Sequence, residues 1–205
     1  MRGAMLLMIV AFTGAGLQNN EAGAPVRVIE DGVLDRVELM STAVPERSAR
    51  VAVRPFSSGE ANLGTGDNKG DPEEQEESQL MQQEAPALLA EALIHELAQT
   101  KTFAHVSQSE ESADLIVTGR FTELNPGSRA KRYWVGFGAG KAAVAVAGEV
   151  TDRHGRILAR FRQRRIATGG WGGGDSLKKM RSDSRSIGKD LSRFLHNWAS
   201  GRPLD

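Results

Sequence analysis

Apolar and polar positions alternate along several short stretches of the chain, a pattern typical of β-strands with one buried face. Residues 26–39, VRVIEDGVLDRVEL, form two such runs around a turn at Asp31-Gly32. Residues 47–56 place Val51 and Val53 on one face of a strand that Pro55 ends. Further strands are predicted at 103–106, 113–124, 141–151 and 156–165, the last two as a hairpin with arginines facing solvent.

Two other stretches carry apolar residues at helical spacing. Residues 85–100, APALLAEALIHELAQT, predict a helix with Pro86 in its first turn, where a missing N–H costs little. Residues 177–198 predict a longer amphipathic helix that Gly188 should weaken. Together these elements predict an α+β fold, with a mixed or antiparallel sheet of about four to six strands and both helices packed on one face.

The stretch between the first long strand and the first helix has a different composition. Residues 57–79 are rich in Gly, Glu and Ser and contain a single leucine. Such a segment buries too little apolar surface to offset its ordering entropy. We therefore expect a disordered acidic loop at 57–79 inside a single domain spanning residues 25–205.

The N-terminus has the pattern of a secretory signal peptide. Arg2 precedes an apolar stretch from Ala4 to Gly16, which is shorter than the roughly 20 residues of a membrane-spanning helix. Small residues offer cleavage sites after Ala15 or Ala24, although Pro25 should hinder the second. We expect a signal peptide within residues 1–24 and a periplasmic or secreted protein, with outer-membrane association left open. A retained signal would be the one transmembrane segment.

The amino-acid composition of the chain excludes several kinds of functional site. The 205 residues include no cysteine, which excludes disulfides, thiolate metal sites and a lipid anchor on cysteine. Charge is balanced overall, yet residues 60–111 carry 12 acidic and 2 basic residues, whereas residues 152–205 carry 13 basic and 5 acidic ones. These opposite halves could attract each other within the fold or each face a partner.

A glycine-rich segment invites comparison with phosphate-binding loops. Gly140-Lys141 matches part of such a motif, but Val135 stands where its first glycine is needed and Ala142 cannot bind magnesium. The evenly spaced glycines also fail the dinucleotide fingerprint. We assign a structural role in a strand or bulge to these glycines, which are Gly136, Gly138 and Gly140.

Other motifs indicate no catalytic, metal or cofactor site. The tetrapeptide Gly-Asp-Ser-Leu ending at Leu177 matches an esterase block, but we expect Asp175 or Ser176 to cap the last helix. The alternative is a hydrolase that uses Ser176. The chain has four histidines, and their positions lack the spacing of a zinc site: His95, His105, His154 and His196.

A basic and aromatic cluster is the candidate partner-binding site, and it comprises Arg129, Lys131, Arg132, Tyr133 and Trp134. Such a cluster could contact another protein, lipid headgroups or nucleic acid. Export from the cytoplasm argues against nucleic acid as the partner. A cytoplasmic protein that binds anions or nucleic acid through its basic half is kept as an alternative.

The central motif resembles a known bacterial family. Residues 117–152, VTGRFTELNPGSRAKRYWVGFGAGKAAVAVAGEVTD, resemble the signature of domain of unknown function 4410, and the resemblance extends over about residues 50–199. It implies an exported envelope protein, for which the family supplies no catalytic residues. The order of elements is also similar to the periplasmic domains of the curli-secretion lipoprotein and of penicillin-binding-protein activator lipoproteins. We therefore expect a non-enzymatic module, without a cofactor, that binds another envelope protein through a sheet edge or the Arg129–Trp134 turn.

Overall fold

Two helices pack on a seven-stranded mixed sheet. The computed structural model describes residues 24–64, 72–126, 142–166 and 176–205. In chain order the elements are β1 (Arg27–Glu30), β2 (Arg36–Leu39), β3 (Arg50–Val53), α1 (Pro72–Gln99), β4 (His105–Ser107), β5 (Leu115–Asn125), β6 (Ala143–Asp152), β7 (Ile157–Ile166) and α2 (Ser176–Ala199).

The sheet has the order β1-β2-β7-β6-β5-β3-β4. β3 is parallel to both β4 and β5, and all other pairs are antiparallel. The α+β class is confirmed, but the expected four to six strands were too few. Three strands of four residues and one of three all join the sheet, because each pairs with a neighbour along its length.

Alternation along the strands places the core on the helix side of the sheet. On β5 the buried residues Leu115, Val117 and Phe121 face the helices. α1 contributes Leu89, Leu93 and Leu97, and α2 contributes Ile187, Leu191 and Phe194, all at most 1% exposed. The other face of the sheet has no helix packed on it among the described elements.

A glycine pair in the sheet makes room for aromatic rings. Gly119 on β5 lies opposite Gly148 on β6. A Cβ at Gly119 would lie 2.6 Å from the ring of Phe56, and a Cβ at Gly148 would lie 2.5 Å from the ring of Phe161. Phe56 in turn stacks on Phe161 with centroids 6.2 Å apart. Missing side chains at this pair therefore let the aromatic core approach the backbone.

The first helix is longer than the sequence predicted. α1 begins at Pro72 rather than near Pro86, so the expected loop at 57–79 was wrong over residues 72–79. The early turns are helical because Ser78, Met81 and Ala85 are buried on one side, while Glu76 and Gln79 are exposed on the other. Residues 57–64 also follow β5, with bridges from Ser57 to Arg120 and from Asn62 to Glu123. Residues 65–71 lie outside the described part.

Pro86 lies in the interior of α1, where it cannot donate the backbone hydrogen bond to the carbonyl of Gln82. The Ser58 hydroxyl donates to that carbonyl instead, at 2.6 Å, and the Gln82 side-chain amide donates back to the Ser58 carbonyl at 3.3 Å. The segment after β3 thus supplies the bond that the proline removes.

A buried polar network joins α2 to β7. One Asp190 carboxylate oxygen accepts hydrogen bonds from Gln163 at 3.2 Å and from the Arg165 guanidinium at 2.7 Å. Gln163 also accepts the backbone N–H of Asp35 at 2.8 Å. Because Asp190 is 7% exposed and paired, its charge is compensated. The network fixes how α2 lies against the strands.

Candidate functional site

The face of the sheet opposite the helices is polar and rich in arginine. Cross-strand partners point to the same side of a sheet, so strand register assigns each side chain to a face. On this open face β7 places Arg160, Arg162 and Arg164, as the alternation of its sequence predicted, and also Ile166 at its end. β2 adds Arg36 and Glu38, β5 adds Thr118, Arg120 and Glu123, and β6 adds Ala145, Ala147 and Glu149.

Two arginines of this face are held in ion pairs. Arg164 on β7 donates to Glu123 on β5, with Nε 2.7 Å and Nη2 3.3 Å from the two carboxylate oxygens. This hydrogen bond raises the pKa of Arg164 above its usual value. Arg36 donates to Glu38 at 2.8 Å and also contacts Glu30. Its hydrogen bond to Glu38 likewise raises the pKa of Arg36.

The Arg164–Glu123 pair spans a whole strand. Ala145 lies between the two residues, opposite Glu123 on one side and Arg164 on the other. The pair lies across this small side chain, and Ala145 is only 7% exposed although it lies on the open face. An alanine on β6 therefore lets groups from β5 and β7 meet above it.

A shallow cleft lies beside this ion pair. Its volume is about 620 Å³, and the charged residues that line it are Arg36, Glu38, Arg120, Glu149, Arg160 and Arg162. Four positive and two negative groups give it a positive balance. Of the described residues, none forms an ion pair with Arg120, Arg160 or Arg162 within 4.0 Å. Of the four arginines in the cleft, Arg36 is thus held in ion pairs, and the other three form none with a described residue.

The two edges of the sheet differ in character. β4 is three residues long and presents His105 and Ser107 on the open face. β1, at the other edge, presents Val28, which is 43% exposed, and Val26 directly precedes it at 56% exposed. No other described strand pairs with the outer side of β1. An edge strand that exposes a valine and has no described partner on its outer side is suited to pairing with another chain.

Most of the site residues predicted from sequence lie outside the described part of the chain. This holds for the cluster Arg129, Lys131, Arg132, Tyr133 and Trp134, for Gly136, Gly138 and Gly140, and for Asp175. Ser176 is the first residue of α2. Their proposed roles stay predictions.

The structure adds residues that sequence reasoning missed. Arg120 was assigned only to a strand, and Val28 only to a turn-linked pair of strands. The sequence does show alanine at every second position of β6, and the structure places these alanines, Ala143, Ala145 and Ala147, on the open face. Small side chains there leave space for long side chains from β5 and β7, and Arg120 is one of these. The alternation of alanines thus indicates one face of β6, but it does not show which arginines of the neighbouring strands lie beside them.

The histidines are dispersed over the fold. His95, His105 and His154 are exposed, on α1, β4 and the β6–β7 turn respectively. His196 on α2 shares a hydrogen bond with the Thr102 hydroxyl. Burial, then the positive charges of Arg202 and Arg47, lower the pKa of His196 below 6.5. Within the described ranges no three His, Asp or Glu side chains are grouped so that they could hold a metal ion.

Neither described helix, α1 or α2, has a stretch apolar enough to cross a membrane.

Solved structures with a similar arrangement include two proteins of low sequence identity. The PelC dodecamer from Paraburkholderia phytofirmans is 14% identical, with a TM-score of 0.45 over 76% of this chain and 96% of the other. Protein XCC0632 from Xanthomonas campestris, of the DUF330 family, is 11% identical, with a TM-score of 0.49 over 87% and 95%. A search of curated protein sequences found no match.

The sequence-level resemblance is confirmed by a family model. The model for Domain of unknown function (DUF4410) matches residues 51–170, which include most of β3, all of β4 to β7 and the whole of α1. More than half of the chain is therefore matched, and the protein belongs to the DUF4410 family.

Proposed function

We propose that this protein is an exported, non-enzymatic module of the bacterial envelope that binds another envelope protein along the free edge of β1. The observation that carries the proposal is a strand edge with no described partner on its outer side and two exposed valines, Val26 and Val28. Val26 and Val28 are two of four large hydrophobic residues with strongly exposed side chains among the described residues. The others are Val44 and Ile166.

Edge pairing suits the geometry of β1. Within the described ranges, β1 pairs only on its inner side, with β2 in antiparallel register from Arg27–Leu39 to Glu30–Arg36. A partner strand laid along the outer side would gain backbone hydrogen bonds and would cover Val28. β4 is the weaker candidate, because its side chains on the open face are polar.

Export is supported by the sequence alone. Arg2, the following apolar stretch and the small residues near Ala15 and Ala24 have the order of a secretory signal.

The test compares tagged full-length chains purified from a bacterial host that carries the natural partners. Val28→Lys places a charge on the edge, which disfavours strand pairing, and the change of an exposed side chain should alter folding stability by about 0.5 kcal/mol or less. We expect one co-purifying envelope protein to be lost. Ile166→Lys is the matched control, since Ile166 is 45% exposed but lies on an interior strand.

Equal recovery of the same proteins with the wild type and Val28→Lys would contradict the proposed contact. Loss of the co-purifying protein with both Val28→Lys and Ile166→Lys would also contradict the contact. The loss would then be caused by the added charge and not by its position on the β1 edge.

A further inference from the structure

Residues that lie opposite one another on β5, β6 and β7 form a row across the open face of the sheet. The row with the Arg164–Glu123 ion pair can be compared with the row beside it. In that pair a β7 guanidinium and a β5 carboxylate meet above Ala145 on β6. Two residues along, the row consists of Arg120 on β5, Ala147 on β6 and Arg162 on β7. The alanine is repeated, but an arginine replaces the carboxylate.

The second row therefore has two cations and no anion of its own. Arg120 and Arg162 are separated by two strand spacings, or about 10 Å between Cα atoms. Both side chains are exposed, and neither forms an ion pair with a described residue. An oxyanion placed above Ala147 could accept hydrogen bonds from both guanidinium groups.

Among the described residues, the carboxylates around the row form no ion pair with Arg120 or Arg162. Arg36 lies directly opposite Arg162, and like charges in that position repel. Arg36 is neutralised by Glu30 and Glu38, so those carboxylates are already engaged. Glu149 lies in the next row opposite Arg160. The cleft above these residues is open and large enough for a side chain to enter.

We propose that Arg120 and Arg162 form a carboxylate-binding site above Ala147, which receives an Asp or Glu side chain from an acidic segment of a partner protein. The proposal rests on the proposed function only in that a protein supplies the carboxylate. The Arg164–Glu123 pair favours this occupant, since the fold already places a carboxylate in the equivalent position one row away.

The experiment measures binding of a fluorescent poly-glutamate peptide to the purified full-length protein by anisotropy at low ionic strength. The double variant Arg120→Gln/Arg162→Gln keeps a polar side chain at each position but removes both charges. We expect its affinity to fall roughly tenfold or more, the loss associated with one or two charge-assisted hydrogen bonds. Arg185→Gln/Arg193→Gln is the matched control, because both residues are exposed on α2.

A second variant supplies the missing carboxylate from within the chain. Ala147→Glu places a carboxylate directly opposite both Arg120 and Arg162. We expect it to abolish peptide binding and to raise the melting temperature. Thr151→Glu adds the same charge on the same strand and face, opposite Ile116 and Ile157, and should change neither.

Unchanged peptide affinity in the double arginine variant, or an equal loss in the α2 control, would overturn the proposal. Tighter binding of a single-stranded oligonucleotide than of the peptide, with the same dependence on Arg120 and Arg162, would overturn the choice of occupant. Val28→Lys should leave peptide binding intact. Failure of the β1 contact and failure of this site are therefore separate results.

Discussion

At the residue scale, Gly188 shows how packing reverses an intrinsic preference. A Cβ built on this residue would lie 2.6 Å from the carbonyl oxygen of Leu89 and 2.9 Å from the Cβ of Ala92. Glycine inside a helix normally costs about 1 kcal/mol relative to alanine. Here its absence of a side chain lets α2 lie close to α1, so the residue that we expected to weaken α2 helps it to pack.

Gly188→Ala should therefore destabilise the protein, by about 1–3 kcal/mol, because the two helices must separate or distort. Urea denaturation would measure the change in the free energy of unfolding. Ser182→Ala, at an exposed position of the same helix, is the control and should have little effect. A more stable Gly188→Ala variant would show that the helices do not approach as described.

His196 predicts a pH dependence of stability. Burial lowers its pKa in the folded protein below the 6.5 of an exposed histidine, so the unfolded chain binds the proton more readily. The stabilisation is complete above roughly pH 6.5 and is lost as the pH falls through the lower folded value. Thermal melts from about pH 7.5 to about pH 5, on both sides of the ordinary histidine pKa, should show a smaller decline for His196→Gln than for the wild type.

The control for this titration is His95→Gln, since His95 is exposed on α1. Its pH profile should follow that of the wild type. If His196→Gln instead declines as steeply as the wild type, protonation of His196 is not what destabilises the fold.

At the element scale, α1 depends on a residue outside the helix. The Ser58 hydroxyl donates to the Gln82 carbonyl, which has lost its usual partner because Pro86 has no N–H. This long-range contact explains why Pro86 is tolerated in the interior and why the sequence misplaced the helix start. Pro86 alone is compatible with a first turn, and the features that place it in the interior are the burial of Ser78 and Met81 and the bond from Ser58.

A double-mutant cycle tests this contact. Ser58→Ala should destabilise the protein by about 1 kcal/mol, because the Gln82 carbonyl then lacks its partner. The Pro86→Ala change restores a backbone N–H that can donate to that carbonyl, so in this background Ser58→Ala should cost less. Additive effects of the two changes, measured by chemical denaturation, would contradict the coupling.

Strands were more predictable from sequence than their arrangement. The alternation at 26–39, 113–124 and 156–165 identified β1, β2, β5 and β7 and assigned the β7 arginines to the exposed face. Strand order and register depend on contacts between distant residues. The placement of Arg120 and Arg162 on either side of Ala147, and the position of β1 at an edge, could for that reason not be predicted from the local sequence pattern.

At the scale of the whole molecule, the opposite charges of the two halves are used partly within the fold. Arg181 on α2 pairs with Glu84 on α1 at 2.6 Å, and Lys189 pairs with Glu96 at 3.1 Å. These pairs join the basic half to the acidic half. The arginines of β7 that remain uncompensated lie on the opposite face of the sheet, where a partner can reach them.

The proposed export predicts a processed protein. Full-length chain expressed in a bacterial host should be recovered from the periplasm, shortened by 15 or 24 residues according to which small-residue site is cut. Intact mass measurement of the fractionated protein checks this. A full-length product in the cytoplasm would contradict export and would favour the anion- or nucleic-acid-binding alternative.

The most direct test of the protein-binding role is photo-crosslinking in living cells from a single position on the β1 edge. A photoreactive amino acid replaces Val28, and the same amino acid replaces Ile166 in the control. We predict a discrete adduct with one envelope protein from position 28 that is absent from position 166. No adduct from position 28, or the same adduct from both positions, would contradict the account.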